Sequence, residues 1–482
     1  MPDPASQPVP SDSGRDAEEA PPSFLGKRWL RALLAAPLLL SIAGIGPTHW
    51  VEHLTHFSKP ASVALLLIGI AAALWITEAI PLFATSFVLL FLELVWLTPV
   101  MKEAGLAAGT DAFLAPFFSN VVLLFLGGFV LSKALHKYGL DGWIAERVLE
   151  RTAGKPAAVI GAMLFVSGFL SMWMSNTATA AMMLGLAQPM LVRVAPEDPF
   201  RRALPLAIAF GANLGGLGTP VGTPPNAIAI EALVSHGHPL GFATWLAMSA
   251  PFLLLLLGAS WWILLRMYPP SGAALALGSG ADRRITRNGK VVVGIALATA
   301  LLWLTGGLHS WSTGTVALLP VVALFGLGLL GREDFLGLPW DVLILAGGGL
   351  SLGIAVERSG LGHELVAAIP VDALGQFGVA LALVAVAALM TTFMSNTATA
   401  NLLVPVVVGL QGVSTPPLLL AIAYACSCTM ILPVSTPPNA IVFGLGVLRT
   451  RDMVRPAAVI TGMALLLTLA VAPFWWGWLG LR

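Results

Sequence analysis

The heptapeptide Met-Ser-Asn-Thr-Ala-Thr-Ala occurs twice, at residues 174–180 and 394–400, and each copy is followed by its own Thr-Pro-Pro-Asn, at 223–226 and 436–439. The second motif sits inside the matched strings PVGTPPNAI and PVSTPPNAI. A third pair, GGFVLSKALHKYGL from Gly127 and GGLSLGIAVERSGL from Gly348, keeps the same order. The spacing between copies is 221, 220 and 213 residues at the three landmarks, so the chain reads as a tandem structural repeat. Both duplicated motifs are polar and break helices, and irregular backbone at membrane depth is tolerated only where protein or a water-filled cavity surrounds it. They point to a transport site.

The membrane assignment comes from composition: 57% of the 482 residues are hydrophobic and 10% charged, against roughly a quarter charged in soluble proteins. At roughly 20 apolar residues per crossing, the chain has room for about ten to twelve. Residues 1–24, rich in Pro, Ser, Asp and Glu, read as a disordered tail rather than a signal peptide. Lys27, Arg28 and Arg31 precede the first apolar run, in an N-terminal helix region over 25–56, and place the amino terminus in the cytoplasm. A first repeat is expected over 57–267 and a second over 291–482. Between them, 268–290 reads as a cytoplasmic linker carrying Arg283, Arg284, Arg287 and Lys290. An odd number of crossings per repeat would invert one half against the other.

Ser-Asn-Thr supplies hydroxyls and an amide, uncharged groups that donate and accept hydrogen bonds. Ser and Asn are also strong helix N-caps, so each copy suits a point where one helix ends and another begins. The free N–H groups of such a helix tip favour an oxyanion. Thr-Pro-Pro-Asn is complementary: consecutive prolines remove two N–H groups and leave upstream carbonyls unpaired, as hard neutral ligands for an alkali cation. Each half is therefore expected to hold one small cation and to offer one helix tip to an anion. The competing structural reading makes Ser, Asn and Thr packing contacts between helices and Pro-Pro a kink, and duplication of both motifs in register weighs against it.

No apolar segment carries the Asp, Glu and His cluster of a proton relay or metal-dependent enzyme, and no catalytic residue is expected. Glu78, in Ile-Thr-Glu-Ala-Ile-Pro, is the acid that stands out, although a helix-end charge is the commoner case. Cys426 and Cys428 are too close for an ordinary disulfide and read as small packing residues. Nothing in the charge balance points to nucleic acid.

With the paired Ser-Asn-Thr, the segment GGLGTPVGTPPNAI from Gly215 and SCTMILPVSTPPNAIVFG from Ser427, the chain resembles the divalent anion:sodium symporters, which carry dicarboxylates, citrate or sulfate. The resemblance covers roughly residues 57–480. It implies an all-α polytopic membrane protein of about eleven transmembrane helices, with two inverted repeats, re-entrant helical hairpins and broken helices. It also implies a homodimer embedded in membrane lipid, in which a transport domain moves against a scaffold domain like an elevator. By position, a first Na+ site would use Ser171, Ser175, Asn176, Gly218 and Gly222. A second Na+ site would use Thr391, Met394, Asn396, Ser435 and Pro437. Substrate carboxylates would meet Asn176, Thr177 and Thr223 from one half and Asn396, Thr397 and Thr436 from the other. The family usually has Ala where Ser435 stands.

The resulting expectation is a sodium-coupled importer of C4-dicarboxylates such as succinate, malate and fumarate in the plasma membrane, with Na+ as a co-transported ion. A sodium-independent dicarboxylate exchanger, or a citrate or sulfate transporter of the same fold, are the alternatives. From other classes, a channel with re-entrant loops would use the same irregular backbone, whereas a membrane enzyme would need a nucleophile with a base or metal that the sequence does not display.

Overall fold

The computed structural model describes residues 51–53, 55–106, 109–271, 284–368, 371–409 and 415–480. The expected tail over 1–24, most of the N-terminal region over 25–56 and the centre of the linker lie outside the described residues. Helices account for the regular structure, and among the described residues there is no strand. In hydrocarbon every backbone group must be satisfied within its own segment, which a helix achieves.

The first half contains α1 (Lys59–Thr77), α2 (Leu82–Glu103), α3 (Asn120–Lys137), α4 (Leu140–Glu150) and α5 (Pro156–Ser171), then α6 (Asn176–Arg193), α7 (Phe200–Gly215), α8 (Pro224–Ser235) and α9 (Phe242–Met267). The second half repeats that order. It runs through α10 (Arg287–Leu304), α11 (Thr313–Gly326), α12 (Trp340–Arg358), α13 (Leu361–Ala368) and α14 (Val371–Phe393, bent at Gly375). After these come α15 (Asn396–Gly409), α16 (Thr415–Cys428), α17 (Pro437–Phe443), α18 (Thr450–Ala470) and a closing α19 (Ala472–Trp478). Proline sets many of the starts, as at Pro60, Pro156, Pro224 and Pro437, where its fixed φ suits a first turn and its missing N–H is not needed.

Packing between the halves is reciprocal. Helix α3 lies along α11, and α12 lies along α2; α8 packs on α15 and α16, while α17 packs on α6 and α7. Each contact has its exchanged counterpart, as a two-fold relation between repeats requires. The largest apolar core gathers α5–α7, α9, α15, α16 and α18 around Trp245, Tyr424 and Trp476. Smaller cores join α3 to α10 and α11, and α1 and α2 to α12.

Eight described helices are long and apolar enough to cross a membrane by length and composition. The expectation of about eleven crossings also draws on segments that this length test passes over. Helix α11 has 14 residues, and α7 with α8, and α16 with α17, are helices broken in two. The first apolar run of the sequence lies outside the described residues.

Glu78, the acid singled out from the sequence, is exposed and caps the end of α1 in the left-handed region, at φ 47°. Among the described acids Glu93 is the most deeply buried, fully inside α2 where that helix widens into a π turn over Glu93–Leu97. Its Oε2 hydrogen-bonds to Ser351 Oγ, which also lies 3.1 Å from the Phe113 carbonyl, and its Oε1 has no partner among the described residues. Ser351 has one proton, and if that proton goes to Phe113 the bond to Glu93 requires a donor on Glu93. Burying an uncompensated carboxylate is very costly. Glu93→Gln, which supplies such a donor in the same shape, is therefore expected to keep the thermal stability of the purified protein within ~0.5 kcal/mol. Glu93→Ala opens a cavity and leaves Ser351 with the Phe113 carbonyl alone, and should destabilise by roughly 2–4 kcal/mol. Equal melting temperatures for the two variants would rule out this hydrogen-bonded role.

Candidate substrate and cation site

The two breaks are built alike. Helix α7 ends at Gly215, tightens into a 3₁₀ turn over Gly216–Gly218 and passes through a turn closed by the Gly222 N–H on the Thr219 carbonyl (3.2 Å) before Pro224 begins α8. Prolines at 224 and 225 contribute no N–H, so the carbonyls of the break need another donor. Asn226 supplies it: its Nδ2 donates to the carbonyls of Gly216 and Thr219, both at 2.9 Å. In the other half Asn439 Nδ2 donates to the carbonyls of Met430 (2.8 Å) and Leu432 (2.9 Å).

Two carbonyls on one side of each amide fix its orientation, and the opposite oxygen then faces the other repeat. Asn213 Nδ2 of α7 donates to Asn439 Oδ1 at 3.0 Å, and Ser427 Oγ of α16 lies 3.3 Å from Asn226 Oδ1. Asn213, Asn226, Asn439 and Ser427 are all buried. The breaks are thus clasped to each other as well as closed on themselves. Trp245 Nε1 donates to the Leu217 carbonyl (3.0 Å) and Ser249 Oγ to that of Gly218 (2.9 Å), which fixes the first break from α9.

At each Ser-Asn-Thr tip the serine is the N-cap: Ser175 Oγ accepts from the Ala178 N–H (3.2 Å) and Ser395 Oγ from the Ala398 N–H (3.1 Å). Beside each cap lies a hydroxyl between two acceptor oxygens. Ser171 Oγ sits 2.7 Å from Asn176 Oδ1 and 2.6 Å from the Ala212 carbonyl. Thr391 Oγ1 sits 2.6 Å from Asn396 Oδ1 and 3.4 Å from the Cys426 carbonyl. One hydroxyl has one proton to give, so each cluster holds more oxygen acceptors than donors. Asn176 also lines the first break: a methyl group added at Gly216 would come within 2.9 Å of Asn176 Oδ1 and 3.3 Å of Thr223.

The structure thus brings Ser171, Asn176 and Thr223 together at the first break, and joins Thr391 to Asn396 at the second tip. Gly222 packs on the Gly216 carbonyl within the same break. Gly218 gives its carbonyl to Ser249, and Ser175 is used as a cap. Ser435 Oγ accepts from the Leu432 N–H at 3.0 Å and closes its own turn. Thr436 Oγ1 accepts from the Asn439 N–H (3.4 Å), Pro437 opens α17, and Met394 is buried just before the second tip. The tips differ in cover. Thr177 and Ala178 are exposed, whereas Thr397 and Ala398 are buried, because Asn401 of α15 fits against Gly349 of α12 and donates to the Leu345 carbonyl (3.0 Å). A cavity of about 470 Å³ opens at the first tip, lined by Ser175, Ala178, Ser132, Lys133 and His136 and by no residue of the second tip.

Asn213, Asn226, Asn439 and Ser427 were not among the site residues expected from sequence. The Asn of Thr-Pro-Pro-Asn was visible as a duplicated amide, but which carbonyls it serves depends on the path of the break. Asn226→Ala and Asn439→Ala each remove an amide that serves two carbonyls; Thr219 and Leu432 keep the turn N–H groups of Gly222 (3.2 Å) and Ser435 (3.1 Å), so the loss falls on the buried Gly216 and Met430 carbonyls, at about 1–3 kcal/mol each. Each is expected to lower the unfolding midpoint of the detergent-solubilised protein, and Asn213→Ala to lower it less. A midpoint unmoved by Asn226→Ala would show that the amide does not hold the break.

The family profile described as citrate transporter (CitMHS) matches residues 72–423. Over 426 residues the chain is 32% identical to the sodium-dependent dicarboxylate transporter SdcS of Staphylococcus saprophyticus, covering 79% of this chain and 80% of that one. It is also 32% identical over 427 residues to an uncharacterized transporter of Schizosaccharomyces pombe, of which it spans about half the length, 49%. Among solved structures the fold is similar to the Alcanivorax borkumensis YdaH transporter, described as having an unusual topology. The TM-score is 0.55 at 15% identity, over 86% of this chain and 97% of that one.

Proposed function

From the premise that this chain belongs to the CitMHS citrate-transporter family, within the divalent anion:sodium symporters, we propose that it is a sodium-coupled symporter that imports C4-dicarboxylates such as succinate, malate and fumarate. It is an integral membrane transporter and not an enzyme. The observation that carries the proposal is the pair of matched oxygen clusters, Ser171, Asn176 and the Ala212 carbonyl in one half and Thr391, Asn396 and the Cys426 carbonyl in the other. A small monovalent cation at each would satisfy the surplus acceptors without any acidic residue. The remaining proposed ligands are Ser175, Gly218 and Gly222 at the first site and Met394, Ser435 and Pro437 at the second.

With the asparagine oxygens facing cations, their NH₂ groups and the first N–H groups of α6 and α15 are free to meet a carboxylate at each tip. Thr177 and Thr223, and Thr397 and Thr436, would complete the two ends of a short dianion. Cations that bind first order the tips, which couples the fluxes. An excess of sodium charge over substrate charge would draw on the membrane potential at about 2.3 kcal/mol per charge per 100 mV. The open first tip and covered second tip fit one end state of an elevator-like movement between inverted repeats, in a homodimer of the plasma membrane with its amino terminus in the cytoplasm.

Citrate is the second reading, favoured by the description of the matching family. In proteoliposomes, succinate uptake is expected to require an inward sodium gradient, and Asn176→Ala and Asn396→Ala are each expected to abolish it while leaving expression intact. Uptake indifferent to sodium but dependent on internal dicarboxylate would replace symport by exchange. A thermal shift by citrate or sulfate plus sodium, with none by succinate, would replace the substrate.

A further inference from the structure

An apolar cavity of about 380 Å³ separates the first helical tip from the helices around it. Leu135 of α3, Trp143 of α4 and Leu297 of α10 form one wall, and Phe169, Trp173 and Val221, all next to the candidate cation site, form the other. Phe169 and Leu297 are also 50% and 59% exposed, so the mouth opens on the lipid-facing surface. Helix α10 is long and apolar enough to cross a membrane, and at 1.5 Å per residue the lining stretch from Val293 to Ala300 lies roughly 9–20 Å along its axis from Arg287. That is the depth of one leaflet of a hydrocarbon core roughly 30 Å thick.

The interfacial end of this cavity is basic. Ile285 lines it between exposed Arg284 and Arg287, and exposed Lys290 stands one turn ahead of Val293 on the same face of α10. None of the three cations forms a salt bridge with another described residue. Thr286 caps α10 by accepting from the Gly289 N–H at 3.0 Å, and Gly289 packs towards Leu140, another lining residue, so the start of α10 is held at the cavity.

We propose that this cavity is a binding site for one anionic phospholipid, with its phosphate on Arg284, Arg287 and Lys290 and an acyl chain lodged between α10 and the tip of the α5–α6 hairpin. Polybasic segments at a membrane surface attract anionic headgroups, and a cavity this apolar at bilayer depth is filled by hydrocarbon at lower free energy than by water. A chain in that position touches Trp173 and Val221 and so bears on the hairpin that carries Asn176. This site is independent of which anion is transported.

The test uses delipidated full-length protein in detergent, with melting followed on titration of long-chain phosphatidylglycerol, long-chain phosphatidylcholine or glycerophosphoglycerol, which carries the headgroup without chains. Phosphatidylglycerol is expected to raise the melting temperature well above either of the others. The triple variant Arg284→Gln, Arg287→Gln, Lys290→Gln should bring its effect down to that of phosphatidylcholine, and Ala300→Phe, which fills the cavity from α10, should remove the response to long-chain phosphatidylglycerol. Equal shifts by both phospholipids in the unaltered protein, an equal shift by glycerophosphoglycerol, or a full phosphatidylglycerol shift in a folded Ala300→Phe protein would overturn the site. If Ala300→Phe does not fold, Ala296→Leu on the same wall takes its place.

Discussion

Two asparagine side chains hold this structure's central difficulty in check. Consecutive prolines open each broken helix and leave carbonyls without donors inside a membrane protein, where water is not freely available to satisfy them. Asn226 and Asn439 each close two of those carbonyls with one NH₂ group and turn the remaining oxygen to the opposite repeat. Because that oxygen is met by Ser427 in one case and Asn213 in the other, closing a break and joining the repeats are a single event. The paired tips then have a common frame.

On that frame the chemistry is that of neutral oxygen. No group of three or more acidic, histidine or cysteine side chains gathers among the described residues, and the tips are furnished with hydroxyls, amides and carbonyls. Under the function proposed above, such a neutral, oxygen-rich tip would hold a cation reversibly and leave amide N–H groups for an anion, which suits a carrier better than a tight structural metal site. The asymmetry in cover follows from packing: Asn401 seats the second tip helix against Gly349, while its counterpart in the first half, Ala181, lines the cavity at the first tip. A repeat that is symmetric in motif is therefore asymmetric in environment.

Much of the fold was legible early because apolar composition and proline placement act locally. The helix starts at Pro156, Pro224 and Pro437, the capping serines Ser175 and Ser395, and the breaks after Gly215 and Cys428 follow from rules that span a few residues. Glu78 ends a helix, the commoner case for an acid in that setting, whereas burial of Glu93 depends on contacts that no local rule carries. Glu93 stands in an apolar run, and α12 brings Ser351 against it. The number of crossings was only partly legible, since a helix broken at its middle has neither the length nor the continuity that hydropathy measures.

By itself, the sequence determined that this is a polytopic, helical, internally duplicated membrane protein whose two polar motifs must face protein or water. Those conclusions need only the cost of exposing polar backbone to hydrocarbon and the geometry of proline. Tertiary structure decided which oxygens meet: that Ser171 lies between Asn176 and Ala212, that Asn213 reaches Asn439 across 226 residues, and that one tip is open while the other is covered. Hydrogen bonds between residues so distant in the chain depend on how helices cross, and helix crossing is set by side-chain packing that no local pattern encodes.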